Sequence, residues 1–347
     1  MKKSIIAIVV LISFIASGCL KSERNLGLRQ SLEKGVADIS AAVSKISATT
    51  GYQLLSVNGE VLKSSSIISD TIDLNLVAGI YDFQPDTLKR FHHFCPYRLF
   101  KKTAESNFMV INMPERMAFH PQHLHFYQPG DTVPPNNFTI TATDYHFYFD
   151  WWRSFEYKLT AGFTLDGADA GSMDVSSTSK SWNNNSYSSK FTFKDGYNIS
   201  EVWQDGDTAT SSFSLAKNTD TLFKETNTFI WHEDHKSEKQ YTLTIGAVEL
   251  KKSTGVDSLQ VFVNGVLQKE AAKIISDSSD TTGSVCHKRD ILLTYDDGTT
   301  AKLSELLAPV RDELKALRAS LHDMYFAKHI VDYIAFSIFF ETREYHD

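Results

Sequence analysis

The sequence predicts an α+β protein: a large curved antiparallel β meander, built as a half-barrel or a sandwich, packed by an N-terminal helix and a long C-terminal helix. Three observations predict this class. No proline occurs between Asn136 and Ala308, and proline is rare inside sheets because it lacks an N–H group to donate. Alternating apolar and polar residues recur through that stretch, separated by turn dipeptides such as Asn264-Gly265. On both sides of it, apolar residues recur every three or four positions, as in an amphipathic helix.

The N-terminal helix is predicted from about Asn25 to Ser47. The spacing of its apolar residues places them on one face, and they are Leu28, Leu32, Val36, Ile39, Val43 and Ile46. Two interpretations stay open. The helix forms a coiled-coil stalk, or it packs on its own domain, which is favoured because three heptads are short for a coiled coil.

A hairpin and a strand are expected next. Asn58-Gly59 lies within Tyr52 to Lys63, and Asn-Gly between apolar residues is the strongest short hairpin signal. A half-buried strand that runs toward Tyr81 should follow, because apolar residues alternate with polar ones at Ile72, Leu74 and Leu76.

The segment 84–136 is predicted to be a long irregular excursion from the domain. Seven of the eight prolines lie between Pro85 and Pro135, and proline at this density forbids long strand ladders and helices. Short strands should survive in it, such as Phe108 to Asn112. Long irregular excursions from a compact domain are commonly functional.

Histidines of this excursion are the best metal-ligand candidates, with zinc or copper as the cofactor, and they are His120, His123 and His125. In an extended segment His123 and His125 point the same way, and imidazole suits both metals. A further ligand would come from His92 or His93. His232 and His235 form a second candidate pair. The competing interpretation, which is favoured for both groups, is that they are solvated loop histidines.

About ten strands are expected between Asn136 and Ala308. The clearest, Phe155 to Leu165, alternates without interruption for eleven residues. No helical pattern separates these strands, so they should be antiparallel neighbours in sequence order. One face is apolar and the other is rich in Ser, Thr, Asn and Lys, which predicts a sheet with one side in water.

An aromatic run begins this stretch and comprises Tyr145, Phe147, Phe149, Trp151, Trp152 and Phe155. Rings presented together on a sheet bind sugars or line a lipid cavity. A core strand is the simpler interpretation, and the alternation of these rings with His146, Tyr148 and Asp150 favours it.

The C-terminal helix is predicted over about 303–328, because its apolar residues are spaced by three and four positions: Leu303, Leu307, Val310, Leu314, Leu317, Leu321 and Met324. Pro309 fits this helix only in the first turn. The last apolar segment, Ile330 to Phe340, is expected to be a closing strand rather than more helix, since Ile334, Phe336 and Ile338 occupy alternate positions.

The first residues have the three regions of a secretory signal peptide. Lys2 and Lys3 precede an apolar run from Ile5 to Ile15, which is shorter than the ~20 residues of a membrane-spanning helix. The residues that follow, Ala16-Ser17-Gly18-Cys19, resemble the lipobox of bacterial lipoproteins. This resemblance implies cleavage after residue 18, lipid attachment at Cys19 and a place in the cell envelope, on the outer membrane of a Gram-negative bacterium. It predicts a signal peptide over 1–18. From the patterns that follow, we expect a polar tether over 19–25 and a single domain over 26–347, since the meander and its flanking helices can share one core.

The two remaining cysteines are Cys95 and Cys286. Disulfides persist in a secretory compartment, so this pair forms a bridge, or the two remain buried free thiols; both alternatives stay open. No Cys-x-x-Cys spacing is present, which excludes a zinc ribbon.

Composition and motifs narrow the function classes. The formal net charge is −7 and no basic stripe occurs, which argues against a nucleic-acid partner. Nucleophile-elbow, P-loop and dinucleotide motifs are absent. The favoured hypothesis is a non-catalytic, lipid-anchored envelope protein that binds an apolar ligand inside the curved sheet or a partner envelope protein. The alternatives are a secreted metal-dependent enzyme that uses the first histidine group, and a glycan-binding surface protein that uses Trp151, Trp152 and nearby rings.

Overall fold

The structure, a computed structural model, describes residues 27–56, 70–84, 100–115, 135–150, 154–180, 184–232, 237–254, 259–276 and 289–344. The helices of this part of the chain are α1 (Leu28–Ser47), α2 (Thr50–Ser56), α3 (Leu74–Val77), α4 (Leu303–Met324) and α5 (Phe326–Glu344). Its strands are β1 (Asp70–Asp73), β2 (Gly79–Phe83), β3 (Phe100–Ala104), β4 (Met109–Met113), β5 (Phe138–Phe149), β6 (Phe155–Leu165), β7 (Ala168–Ser179), β8 (Asn185–Thr192), β9 (Tyr197–Gln204), β10 (Thr208–Lys217), β11 (Asp220–Trp231), β12 (Ser237–Ile245), β13 (Val248–Ser253), β14 (Gln260–Val263), β15 (Val266–Gln268), β16 (Ala272–Ser276), β17 (Arg289–Thr294) and β18 (Thr300–Lys302).

One 15-stranded sheet dominates the molecule, so the predicted α+β class is confirmed. From β5 to β15 each strand pairs antiparallel with the next in sequence, which is the predicted meander. The strand order continues beyond β5 as β4, β2 and β3, where β2 and β4 pair in parallel. A separate sheet consists of β16, β17 and β18. Fourteen strands, β5 to β18, therefore occupy the stretch for which about ten were predicted.

The two ends of the sheet differ in their connections. At one end, called here the tight-turn end, two-residue turns join β6 to β7 and β14 to β15. Asp166 and Gly167 have φ values of 50° and 77°, and Asn264 and Gly265 have values of 51° and 78°. Such paired positive φ angles fit the right-handed twist of hairpin strands, and asparagine, aspartate and glycine adopt them most readily. The predicted turn dipeptides therefore set the register of the meander at this end.

The first predicted helix is confirmed as α1, and it packs on its own domain. Leu32, Ile39 and Ile46 on its apolar face are fully buried. A Cβ atom added to Gly35 would lie 2.8 Å from Cγ2 of Ile245, so the helix backbone rests directly on β12. This close contact supports the packed-helix interpretation over a coiled-coil stalk.

The helices form one layer that covers only part of the inner face of the sheet. α1 and α2 cross it near the tight-turn end, where Gly51 touches Ala170, and α4 packs beside α1. Strands of twelve residues, such as β11, span ~40 Å, whereas two adjacent helices cover ~20 Å. Along β9 to β11 the far end of the inner face consequently extends beyond the described helices.

Two predictions for the first part of the domain are wrong in part. The expected hairpin around Asn58-Gly59 starts as the helix α2, and residues 57–69 lie outside the described residues. The expected strand through Ile72, Leu74 and Leu76 ends at Asp73 and continues as the helical turn α3. Ile72 and Val77 are both buried, so a change from strand to helix after Asp73 keeps both side chains in the core.

The predicted closing strand Ile330 to Phe340 is also wrong, since this segment belongs to α5. The buried residues of α5 are spaced by three, four or one positions, as expected for a helix face: Phe326, Ala327, Ile330, Val331, Ile334, Ala335 and Phe339. The apparent alternation arose because nearly every residue from Ala335 to Phe340 is apolar. The preceding helix starts at Leu303 as predicted, but Pro309 is its seventh residue, on its exposed side, and not a residue of the first turn.

Candidate functional site

The uncovered end of the inner face carries three exposed rings, Trp203, Phe229 and Trp231. Their side chains are 41%, 36% and 57% exposed. Between them, on β10, stand the small side chains of Ala209 and Ser211. These five residues are called the aromatic strip below.

The strands fix the side of the sheet on which the aromatic strip lies. Residues two apart on a strand share a face. Glu201 and Glu225 both reach Arg318 of α4, at 3.3 and 3.8 Å, so they point to the helix side. Trp203 follows Glu201 by two residues, and Phe229 and Trp231 follow Glu225 by four and six. The strand pairing is regular over this range, so all three rings share the helix side of the sheet.

Strand register sets the layout of the aromatic strip. Ser211 lies directly between Trp203 of β9 and Asn227 of β11, and Ala209 lies opposite Phe229. Since neighbouring strands are ~4.8 Å apart, the flanking strands β9 and β11 are separated by about 10 Å. Aromatic side chains therefore stand on both sides of a floor of small side chains, which forms a shallow open trough.

Polar groups accompany the rings. The Nζ of Lys239 lies 5.3 Å from the centre of the Phe229 ring, in cation–π contact. Asn227 is exposed beside the floor, and an amide both donates and accepts hydrogen bonds. The backbone N–H of Trp231 donates to the carbonyl of Asp207 at 2.9 Å, which joins the end of β11 to the turn between β9 and β10. The trough thus offers stacking surfaces together with hydrogen-bonding groups.

An ion-pair network closes the trough toward the helices. The guanidinium of Arg318 lies 5.6 Å from the centre of the Phe213 ring and contacts both Glu201 and Glu225. The hydroxyl of Tyr241 donates to Oε1 of Glu225 at 3.2 Å. Burial and the nearby Glu225 carboxylate raise the pKa of Tyr241, so this phenol stays protonated as a donor.

A second polar cluster lies beneath α5, and it is saturated. Oδ1 of Asp332 accepts hydrogen bonds from the hydroxyls of Tyr145 at 3.2 Å and Tyr157 at 2.9 Å, while Oδ2 accepts from Nζ of Lys328 at 2.6 Å. Burial raises the pKa of both tyrosines well above the usual value, and the carboxylate adds to this. Through these hydrogen bonds the cluster holds α5 to β5 and β6.

The predicted aromatic run divides in the structure. Tyr145 is buried, and Phe147 packs edge-on against Phe336 of α5 with ring centres 4.7 Å apart. The core-strand interpretation is therefore confirmed for these two residues. Trp151 and Trp152 lie outside the described residues, so the predicted ring platform around them stays a prediction.

Other predicted site residues also fall outside the described residues: Cys19, Cys95, Cys286, His92, His93, His120, His123, His125 and His235. His232 is described and is exposed next to Trp231. Within the described ranges, no group of three or more His, Cys, Asp or Glu side chains is placed to hold a metal ion. The zinc or copper site and the disulfide stay predictions.

An apolar ligand was expected inside the curved sheet, where apolar side chains of the described strands are buried. The inner-face residues Leu159, Ile199 and Leu215 are fully buried. A groove of about 310 Å³ lies among α1, α2 and α4 rather than in the sheet, and a single ring, that of Tyr52, lines it. None of the described helices combines the length and apolar character needed to cross a bilayer.

Sequence reasoning missed the aromatic strip, although a signal for it is present. All five tryptophans fall within three residues of the C-terminal end of β5, β7, β9 or β11, and in an antiparallel meander the C-terminal ends of alternate strands lie at the same end of the sheet.

Comparisons of the chain with protein-family models, curated proteins and solved structures give no match.

Proposed function

We propose that this protein is a non-catalytic, lipid-anchored protein of the cell envelope, on the outer membrane of a Gram-negative bacterium, that binds glycan chains in the aromatic strip. One observation carries the proposal: Trp203, Phe229 and Trp231 are exposed together on one face, on both sides of a small-residue floor.

Glycans fit this surface better than compact apolar molecules do. Aromatic rings offer flat apolar faces on which the C–H faces of sugars stack, and the polar edge of each sugar needs hydrogen-bonding partners. Asn227, Ser211 and Lys239 supply such partners beside the rings. By strand spacing the Cα atoms of Trp203 and Trp231 are ~16 Å apart, which favours a chain of several sugar units over a single sugar.

The other hypotheses have less support. For an apolar ligand inside the sheet, the inner-face residues Leu159, Ile199 and Leu215 are fully buried, whereas the rings of the aromatic strip are accessible. Large contiguous apolar patches mark protein-binding surfaces, whereas small and polar side chains separate the rings of the aromatic strip. The metal-dependent enzyme depends on His120, His123 and His125, whose geometry the described residues do not include.

The test uses the protein purified without its lipid as the Cys19→Ala variant. Binding to a panel of envelope and plant polysaccharides is measured by co-sedimentation and by tryptophan fluorescence titration. At least one glycan should bind, and Trp203→Ala and Trp231→Ala should each weaken its binding at least about tenfold. The comparable stacking of a nucleobase on an aromatic side chain is worth ~1–3 kcal/mol per ring.

The matched control is Phe108→Ala, because Phe108 is 45% exposed and lies between β3 and β4, far along the sheet order from the aromatic strip. Its substitution should leave glycan binding unchanged. Equal losses for Phe108→Ala and Trp231→Ala would contradict the site, and a panel without any binding glycan would contradict the function.

The anchor has its own test. In cells, the unaltered protein should be found in the membrane pellet and should incorporate labelled palmitate, whereas Cys19→Ala should be soluble and folded. A Cys19→Ala protein that remained in the pellet would contradict attachment through acyl chains alone.

A further inference from the structure

We propose that the hairpin formed by β14 and β15 contacts the surface of the bilayer in which the protein is anchored. This inference rests on the lipid anchor of the proposed function. Val266, 64% exposed, has the most exposed large apolar side chain of the described residues, and Leu267 beside it is 46% exposed. Both belong to β15, which is an edge strand of the 15-stranded sheet.

The start of α1 limits where the bilayer lies. The described chain begins at Gly27, where an added Cβ atom would lie 2.7 Å from Oδ2 of Asp296. Arg29 contacts Asp297 at 3.6 Å, so the helix start is fixed to the turn between β17 and β18. Eight residues separate Cys19 from Gly27, and a fully extended chain of that length spans at most ~28 Å. This side of the body must therefore stay near the lipid surface.

The β14–β15 hairpin lies close to the start of α1, and the length of the tether therefore limits its distance from the bilayer as well. The N–H of Asn264 donates to the carbonyl of Ala247 at 2.9 Å, which joins the β14–β15 turn to the β12–β13 turn. An added Cβ atom on Gly246 would lie 3.3 Å from Cα of Gly35. From Gly27 to Gly35 the helix rises ~12 Å. The hairpin and the start of the tether are thus close neighbours at the tight-turn end of the sheet.

The chemistry of the hairpin suits a bilayer surface. Leu267 pairs with Phe262, and Nζ of Lys251 lies 5.2 Å from the centre of that ring while also pairing with Glu249 at 2.7 Å. Lys269 follows two residues after Leu267. Exposed apolar side chains flanked by lysine occur at interfacial membrane contacts, where the apolar groups enter the boundary of headgroups and acyl chains and the lysine stems reach the headgroups.

The contact is weak alone, and the anchor makes it effective. A short tether raises the effective concentration of a surface to ~mM, so a small apolar contact at the hairpin suffices to orient a body that the acyl chains already hold. Without Cys19 the same hairpin should not retain the protein. From this end β11 runs ~40 Å to Trp231, so the contact would turn the aromatic strip away from the bilayer.

The test compares hydroxyl-radical labelling of the full lipidated protein in vesicles of phosphatidylethanolamine and phosphatidylglycerol with labelling of Cys19→Ala in solution. Labelling of Leu267 should fall at least about threefold in vesicles, as expected for a side chain that enters the interface. Phe108, which is 45% exposed, should keep its labelling. Equal labelling of Leu267 in both samples would overturn the inference.

A double variant separates contact from anchoring. The lipidated protein with Val266→Ser and Leu267→Ser should still co-sediment with the vesicles. Its labelling of Phe262 should rise to the value measured for the same variant without lipid in solution. Unchanged, low labelling of Phe262 would overturn the role of the hairpin. A lipidated preparation that fails to co-sediment with vesicles would instead contradict the anchor, and the proposed function with it.

Discussion

The two ends of the inner face of the sheet share strands and side-chain alternation but differ in what covers them. On β9, β10 and β11 the covered end carries Ile199, Leu215 and Phe223, which are 0%, 0% and 8% exposed. On β9 and β11 the open end carries Trp203, Phe229 and Trp231, at 36–57%. The pattern of the strands is the same, so the placement of the helices decides which apolar residues form the core and which form a surface.

Polar groups differ in the same way between the covered and the open parts of the inner face. Under α5, Asp332 receives hydrogen bonds from two tyrosines and a lysine, and buried hydroxyls such as those of Tyr145 and Tyr157 must be paired in this manner. At the open end Asn227 and Lys239 are exposed. Saturated groups hold the fold together, whereas exposed ones remain available to a ligand.

The largest effect is expected from Asp332→Ala in the polar cluster under α5. The substitution would leave the Tyr145 and Tyr157 hydroxyls and the Lys328 ammonium without their shared acceptor. Removing the shared acceptor of two buried hydroxyls and a half-buried ammonium in this way costs about 3–4 kcal/mol. Urea unfolding should show this loss in the free energy of unfolding, and Asp312→Ala, at an exposed carboxylate on α4, should change it by less than about 0.5 kcal/mol. Similar values for both variants would contradict a stabilising role for the cluster.

A smaller loss is expected from Gly51→Ala, which tests the contact of α2 with β7. The added Cβ atom would lie 1.8 Å from the backbone carbonyl oxygen of Ala170, so the helix or the strand must shift. We expect a loss of about 2–3 kcal/mol, as for overpacked cores. Gly162→Ala is the matched control, since nothing lies within 4 Å of its added Cβ atom. A drop in melting temperature for Gly162→Ala but not for Gly51→Ala would contradict the arrangement.

Alkaline pH should weaken the packing of the helices on the sheet next. Burial is the main cause that raises the pKa of Tyr145, Tyr157 and Tyr325, and it raises the pKa of Tyr81 to about 12. In the unfolded chain these phenols ionise near pH 10, so their contribution is complete below pH 10 and is lost as the pH rises above it. Each should remove about 1.4 kcal/mol per pH unit until its folded pKa is reached.

Urea unfolding between pH 8 and 11 measures this loss. The free energy of unfolding should stay level up to about pH 9.5 and then fall. In the Tyr145→Phe and Tyr157→Phe double variant the fall should be less steep, although the variant starts from a lower stability. Identical slopes for the two proteins would show that these phenols ionise normally in the fold.

Sequence patterns predicted the elements that depend on local spacing and could not predict the cover. The spacing of Leu28, Leu32 and Ile39 predicted α1, and Asn264-Gly265 predicted its hairpin, because helix period and turn geometry are local properties. Apolar residues at five of the six positions from Ala335 to Phe340 fit both a strand and a buried helix, and only packing against β5 distinguishes the two. Trp203 and Trp231 are 28 residues apart in sequence and belong to two different strands, β9 and β11. The exposure of their shared surface depends on where α4 crosses the sheet.

The smallest effect on stability, and the sharpest contrast, is expected from the Trp203→Ala and Trp231→Ala double variant. Both rings project from the open end and remain in contact with solvent, so their removal should change the free energy of unfolding by no more than about 0.5 kcal/mol. Phe191→Ala on β8 is the comparison, because Phe191 is 1% exposed and packs against Tyr325 with ring centres 5.6 Å apart, and its loss should cost about 3–5 kcal/mol. Glycan binding should follow the opposite order, lost in the tryptophan variant and kept in folded Phe191→Ala. If the tryptophan variant were as destabilised as Phe191→Ala, the rings would belong to the core, and the distinction between the covered and open ends would fail.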